Sequence, residues 1–156
     1  ASGGGGGDPT TAPTTTQAVR EEKPKPQSLT KSELIRKGDE ICTQARSSYE
    51  ASKDRFPDGE TETGMSVEFA EQLVENSRQQ VSKMSQLNPP KSKEDEFREY
   101  LRLRQDIARM DQRALDAARE GNPTAYVQTY ESRGPIDEQL ARVSGEIGFN
   151  VCSNNS

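Results

Sequence analysis

The chain of 156 residues has no histidine and no tryptophan, only two cysteines, and only four tyrosines and four phenylalanines. Each absence excludes a chemistry. Without imidazole there is no Ser–His or Cys–His nucleophile pair, no histidine-ligated haem and no zinc site that needs a ring nitrogen. The Glu-x-x-His pairs that hold metals inside helical bundles are excluded too. Two cysteines do not make a cysteine-rich metal centre. No apolar run approaches the roughly 20 residues of a membrane span. No signal peptide is recognisable, so the sequence reads either as cytosolic or as a mature form.

Positive charge is also scarce. Twenty-one basic residues face 26 acidic ones, a net charge of −5. Phosphate backbones demand a basic footprint, so nucleic acid is not an expected partner, and anionic membrane surfaces are disfavoured for the same reason. Hydrophobic residues make up 29% of the chain, which predicts a modest core in need of a staple.

Residues 1–28, "ASGGGGGDPTTAPTTTQAVREEKPKPQS", carry only Ala1, Ala12, Ala18 and Val19 as hydrophobic residues. Such a segment cannot bury enough apolar surface to offset its ordering entropy. It is expected to be a disordered tether spanning about 30 Å root-mean-square, its glycine run flexible and its "KPKP" stiffer. Its charges cancel, so residues 29–156, the expected folded domain, carry the whole negative balance.

That domain shows four helical periodicities. Over 30–56 the stripe is Ile35, Gly38, Cys42, Ala45, Tyr49, Ser52 and Phe56, opened by a Thr30/Glu33 capping box and stopped by Pro57 and Gly59. Over 66–88 it is Val67, Ala70, Val74, Val81 and Met84, with Leu73 and Leu87 beside it. Ser66 is the cap and Pro89-Pro90 the stop. Over 93–120 it is Phe97, Tyr100, Leu103, Ile107, Met110, Ala114 and Ala117, with Ser92 as the expected cap and Gly121 as the stop. The fourth stretch opens with Asn122 as cap and Pro123 at the first helical position. It divides into a Tyr126, Val127, Tyr130 patch and an Ile136, Leu140, Val143, Ile147 stripe. Between them Gly134-Pro135 is expected to kink or break the helix. No useful strand-like alternation occurs. The pattern predicts an all-α, up-down-up-down four-helix bundle with a kinked fourth helix, and an open helical array is the alternative.

The ending "EIGFNVCSNNS" is unusually apolar for a terminus. In an up-down bundle the end of the fourth helix lies near the start of the first. Gly148 can turn the chain, and Phe149 and Val151 can then lie along the bundle as a strap that brings Cys152 to Cys42. Two independent thiols are the alternative: a buried Cys42 needs no partner, whereas an exposed Cys152 does. A bridge would close a long loop, contribute at most about 4–5 kcal/mol, and imply an oxidising compartment.

The phrases "KGDEICTQARSSY" and "ARVSGEIGFNVCS" resemble a largely uncharacterised family of small bacterial lipoproteins and secreted proteins of actinobacterial type. Its pattern is an "ADxIC" helix start and a closing "A…GxxxC". The resemblance implies a helical fold and a cell-envelope or secreted location rather than an activity. Mature members begin with a lipidated cysteine ahead of a Gly/Ser/Thr-rich tether. This chain begins at Ala1, and "ASGGGGGDPTTAPTTT" is similar to the tether just downstream of such an anchor.

Other candidate sites are weaker. "GGGGG" lacks the Lys-Ser/Thr of a phosphate loop. Asp54, Asp58, Glu60 and Glu62 cluster as in a calcium loop but without its spacing. The acids of "EDEFRE" (94–99) suit a helix dipole better than acid–base work. Arg98, Arg102, Arg104, Arg109 and Arg113 are expected to pair with acids on a wet face. Asn154–Ser156 fits a glycosylation triplet only formally. Tyr126 and Tyr130 beside Gly134 and Pro135 are the candidate partner surface, although core packing is the favoured role for the two tyrosines. The functional expectation is a non-enzymatic extracytoplasmic module, without catalytic residues, cofactor or metal, that meets a protein or glycan partner or acts structurally. The alternative is a small-ligand carrier or sensor with an internal apolar cavity, because Gly38, Ala45, Ala70, Ala114 and Ala117 leave room for one or for close helix packing.

Overall fold

The computed structural model describes residues 1–5, 7 and 27–152. The tether expected over 1–28 falls largely outside the described residues, as does the Asn154–Ser156 triplet. The described domain is all-helical: α1 (Lys31–Arg55), α2 (Val67–Ser85), a 3-10 turn (Lys91–Lys93), α3 (Glu94–Arg119), α4 (Pro123–Glu131) and α5 (Gly134–Ile147). Helices α1, α2 and α3 pack in succession, and α4 and α5 together lie along α3 as the fourth member of the bundle.

The local signals act as their chemistry demands. Thr30 Oγ1 accepts from Glu33 N while Glu33 Oε1 accepts from Thr30 N, closing the capping box of α1. Ser66 caps α2 and Asn122 caps α4, with Pro123 in the first turn. Ser92 is not the cap of α3. Pro90 fixes an extended entry and accepts from Lys93 N at 2.9 Å, so residues 91–93 wind as a 3-10 turn and α3 begins one residue later without a side-chain cap. The fourth helix breaks rather than kinks. Pro135 has no N–H to continue the ladder, α4 stops at Glu131, and α5 restarts at Gly134. Ser132 and Arg133 form the joint.

Two apolar clusters fill the bundle. One, at the end where α1 starts, gathers Leu34, Met84, Phe97, Tyr100, Leu103, Ile107, Leu140, Val143, Ile147 and Phe149 around the cysteines. The other, at the opposite end, gathers Ala70, Val74, Ala114, Leu115, Ala117 and Ala118 around a fully buried Tyr126. The stripe of α2 is rotated from its expected centre. Phe69 is fully buried and Val67 is exposed, because Phe69 fills the space over Gly59, meets Tyr130 edge-on and lies tilted against Phe56.

The C-terminal strap is present and pinned. Gly148 turns the chain with φ +104°, a left-handed conformation that a side chain would strain. Phe149 then packs on Gly38 and against Tyr100, and Cys152 forms a disulfide with Cys42 (S–S 2.01 Å) across 110 residues. Asp39 completes the lock: its carboxylate accepts from the Asn150 N–H (3.0 Å) and the Val151 N–H (2.8 Å). Arg46 donates to Val151 O at 3.1 Å. "GDEIC" on α1 and "GFNVC" at the end are therefore two halves of one device: a gap, a clamp and a pin on one side, a turn, a plug and a pin on the other.

Candidate functional site

Between the two apolar clusters the bundle is polar. On α3 the row Phe97, Tyr100, Arg104, Ile107, Asp111, Ala114, Ala118 faces inward, so Arg104 and Asp111 are 7% and 3% exposed. Arg104 therefore does not belong to a wet face. Its Nε donates to Tyr100 OH at 2.9 Å, and that hydroxyl lies 3.4 Å from the Cys42 sulfur. Gln80 of α2 also points Nε2 at Cys42. Asp111 accepts a short hydrogen bond from Ser77 of α2, and the Arg133 guanidinium of the joint stands 4.0 Å from its other oxygen. Arg133 also donates to Asp137 Oδ1 at 3.2 Å. Burial pushes the Asp111 carboxyl up to about 6, with Arg133 and Ser77 pulling the other way. A narrow, partly open space of about 20 Å³, room for about one water, lies in this layer and is lined by Ser77, Gln80, Arg104, Asp111 and Arg133 among others.

Above that layer the helix break opens a notch of about 340 Å³ to solvent. Its walls are Tyr49 of α1, Glu60 of the α1–α2 loop, Tyr130 and Glu131 of α4, Arg133 and Gly134 of the joint, and Asp137 of α5. Tyr49 OH donates to Glu60 Oε1 at 2.6 Å, and burial with the adjacent Glu60 carboxylate holds the phenol above its ordinary value. The Tyr130 hydroxyl is buried with no hydrogen-bond partner, and burial holds this phenol above its ordinary value too.

The surface expected from Tyr126, Tyr130, Gly134 and Pro135 is thus only partly a surface. Tyr126 is 0% exposed, stacked edge-on against Tyr130 and donating a short hydrogen bond to Gly59 O, so it is a core residue. Tyr130 is half-buried, while Gly134 and Pro135 are exposed. Of the other walls, the sequence marks Tyr49 only as part of a buried stripe and Glu60 only as part of a calcium-like cluster, and it marks neither Arg133 nor Asp137. The cue for Arg133 is its place directly before Gly134-Pro135, where the helix is expected to kink or break.

Other candidates disperse. Among the described residues no group of three or more His, Cys, Asp or Glu is placed to hold a metal ion. The longer trough between α1 and α2, about 660 Å³, has its charges largely paired: Arg55 with Glu68 at 2.6 Å and Arg119 with Glu71 at 3.4 Å. The small residues serve close packing. Gly38 admits Phe149, and Ala70, Ala114 and Ala117 surround Tyr126. The narrow space is polar and water-sized, which gives an internal apolar carrier cavity no support. No described helix is long and apolar enough to cross a membrane. No protein-family model, curated protein or solved structure matches the chain.

Proposed function

We propose that this chain is a non-enzymatic, extracytoplasmic helical module that binds a protein or glycan partner through the notch at the α4–α5 joint. The notch is the observation that carries the reading. It is a concave site, walled by two tyrosine rings and edged by Glu60, Asp137 and Arg133, on an otherwise continuous helical bundle. Aromatic faces with a few convergent polar groups are what sugars and protein side chains dock on. The buried disulfide favours an oxidising compartment, and so the cell envelope or the secreted fraction. The resemblance to small bacterial lipoproteins and secreted proteins points the same way, with a lipid anchor ahead of Ala1 as the means of attachment. The absence of histidine and the placing of Asp111 beneath Arg133 support a role without catalysis, cofactor or metal.

The test is site-specific cross-linking. A photoreactive side chain at exposed Gly134 should capture a discrete envelope protein or glycan. The same group at exposed Lys91, at the end of the bundle where α3 begins, should not. Equal capture from both positions, or none from Gly134, would overturn the notch as the binding face.

A further inference from the structure

Arg133, with Tyr49 beside it, stands between two spaces. It lines the water-sized cavity beside Asp111 and also the 340 Å³ notch open to solvent. It sits on the two-residue joint between α4 and α5, at the entry of a helix that has no side-chain cap. The next residue, Gly134, is exposed, and a Cβ there would meet nothing within 4 Å. A swing of this joint would therefore join the two spaces and wet Asp111. Arg133 would not be stranded by the motion, because Asp137, its 3.2 Å partner, travels with it on α5.

We propose that the α4–α5 joint is a proton-coupled gate: it closes over a neutral Asp111 in mild acid and opens as Asp111 loses its proton. The groups that face Asp111 are Tyr49 from α1, Glu60 from the α1–α2 loop, Ser77 from α2, Tyr130 from α4, Arg133 from the joint and Asp137 from α5, with Arg104 two turns away on α3. Arg133 and Ser77 favour the charged form. Burial, Glu60 and Asp137 disfavour it, and burial dominates, placing the closed-state carboxyl near 6. Wetted in the open state, the same carboxyl returns to the ordinary range near 4. Opening then releases a proton, and linkage fixes the direction: the opening constant rises with pH, by about tenfold between pH 5 and 8.

The bearing of this gate on partner binding rests on the notch reading, but the gate itself is measurable without a partner. Hydrogen exchange of the full chain, corrected for the intrinsic pH dependence, should show protection over residues 131–140 falling about tenfold from pH 5 to pH 8. In Asp111→Asn the fall should vanish. Carbon-detected NMR of the wild-type carboxyls supplies a second readout, in which Asp111 should titrate near 6. Protection independent of pH in the wild type, an unchanged pH dependence in Asp111→Asn, or an Asp111 titration near 4 would each overturn the gate. Those results would leave the cross-linking test of the notch untouched, and failure of the cross-linking would leave the gate standing.

Discussion

Replacing Gly38 with alanine tests the strap by the sign of its effect. In the middle of α1, alanine should stabilise by about 1 kcal/mol on helix propensity alone. The packing argues the reverse. A Cβ at position 38 would stand 2.6 Å from Phe149 Cζ and closer still to Cε1. The ring has no easy retreat. It lies edge-on to Tyr100 at 5.3 Å, and its own N–H is bonded to Ser144 O at 2.9 Å. Three residues on, the chain is tied to Cys42. Overpacking of this kind costs about 1–3 kcal/mol, and more if Phe149 is expelled. Set against the propensity gain, the net expectation is a loss of up to about 2 kcal/mol, or up to about 8 °C in melting temperature for a domain of this size. Thermal unfolding of the oxidised protein followed at 222 nm measures it. In a Phe149→Leu background the clash is relieved, so Gly38→Ala should become neutral or stabilising there. A Gly38→Ala single variant that melts higher than wild type would show that Phe149 does not plug this gap in solution.

Three further outcomes follow from the same coordinates. Cys152→Ser releases a loop closed across 110 residues and should cost at most about 5 kcal/mol, seen as a melting temperature lower by up to about 20 °C; a change of a degree or two would mean the bridge does little. Tyr126→Phe removes the donor to Gly59 O and should cost about 1–2 kcal/mol, whereas Tyr130→Phe removes a buried hydroxyl without a partner and should be neutral or slightly stabilising; denaturant unfolding of both variants separates them. Asp111 binds its proton more tightly folded than unfolded, so folding takes up a proton between about pH 4 and 6 and stability falls as pH rises through that window, by up to about 3 kcal/mol. Asp111→Asn lacks this term and should gain on the wild type from pH 5 to pH 8; parallel stability curves would refute it.

The features written locally in the sequence were the ones that could be read there. Thr30/Glu33, Ser66, Asn122-Pro123 and Gly148 each act within a few residues, and each behaves in the structure as its chemistry requires. The Cys42–Cys152 pairing is a long-range contact, yet it was legible because antiparallel helices bring those ends together and the apolar ending needed a destination. The polar layer was not legible, for the opposite reason. Heptad spacing puts Arg104 and Asp111 on the same row as Phe97, Tyr100 and Ile107, but a charge on an apolar stripe is normally assigned to solvent. Only the arrival of Ser77 and Arg133 from other elements makes burial tolerable. Tyr126 takes the core role that the sequence favoured over a surface one, but its partners were not legible: its hydroxyl reaches Gly59 O across 67 residues and its ring meets Tyr130 edge-on.

The distribution of interactions sets one end of the bundle apart from its middle. Near the start of α1 the disulfide, the Asp39 clamp and the Phe149 plug act together on one strap, so local opening there must break all three at once. Around the α4–α5 joint the bundle holds a carboxyl that resists ionisation, an unpartnered tyrosine hydroxyl and a helix entry without a side-chain cap. Buried ionic groups can often be exchanged for well-packed apolar ones with no loss of stability, so stability alone does not account for a charged layer in so thin a core. A site that must open has to lie where opening costs little. In this chain that place is the joint, and the staple at the strapped end supplies the stability that lets the joint remain loose.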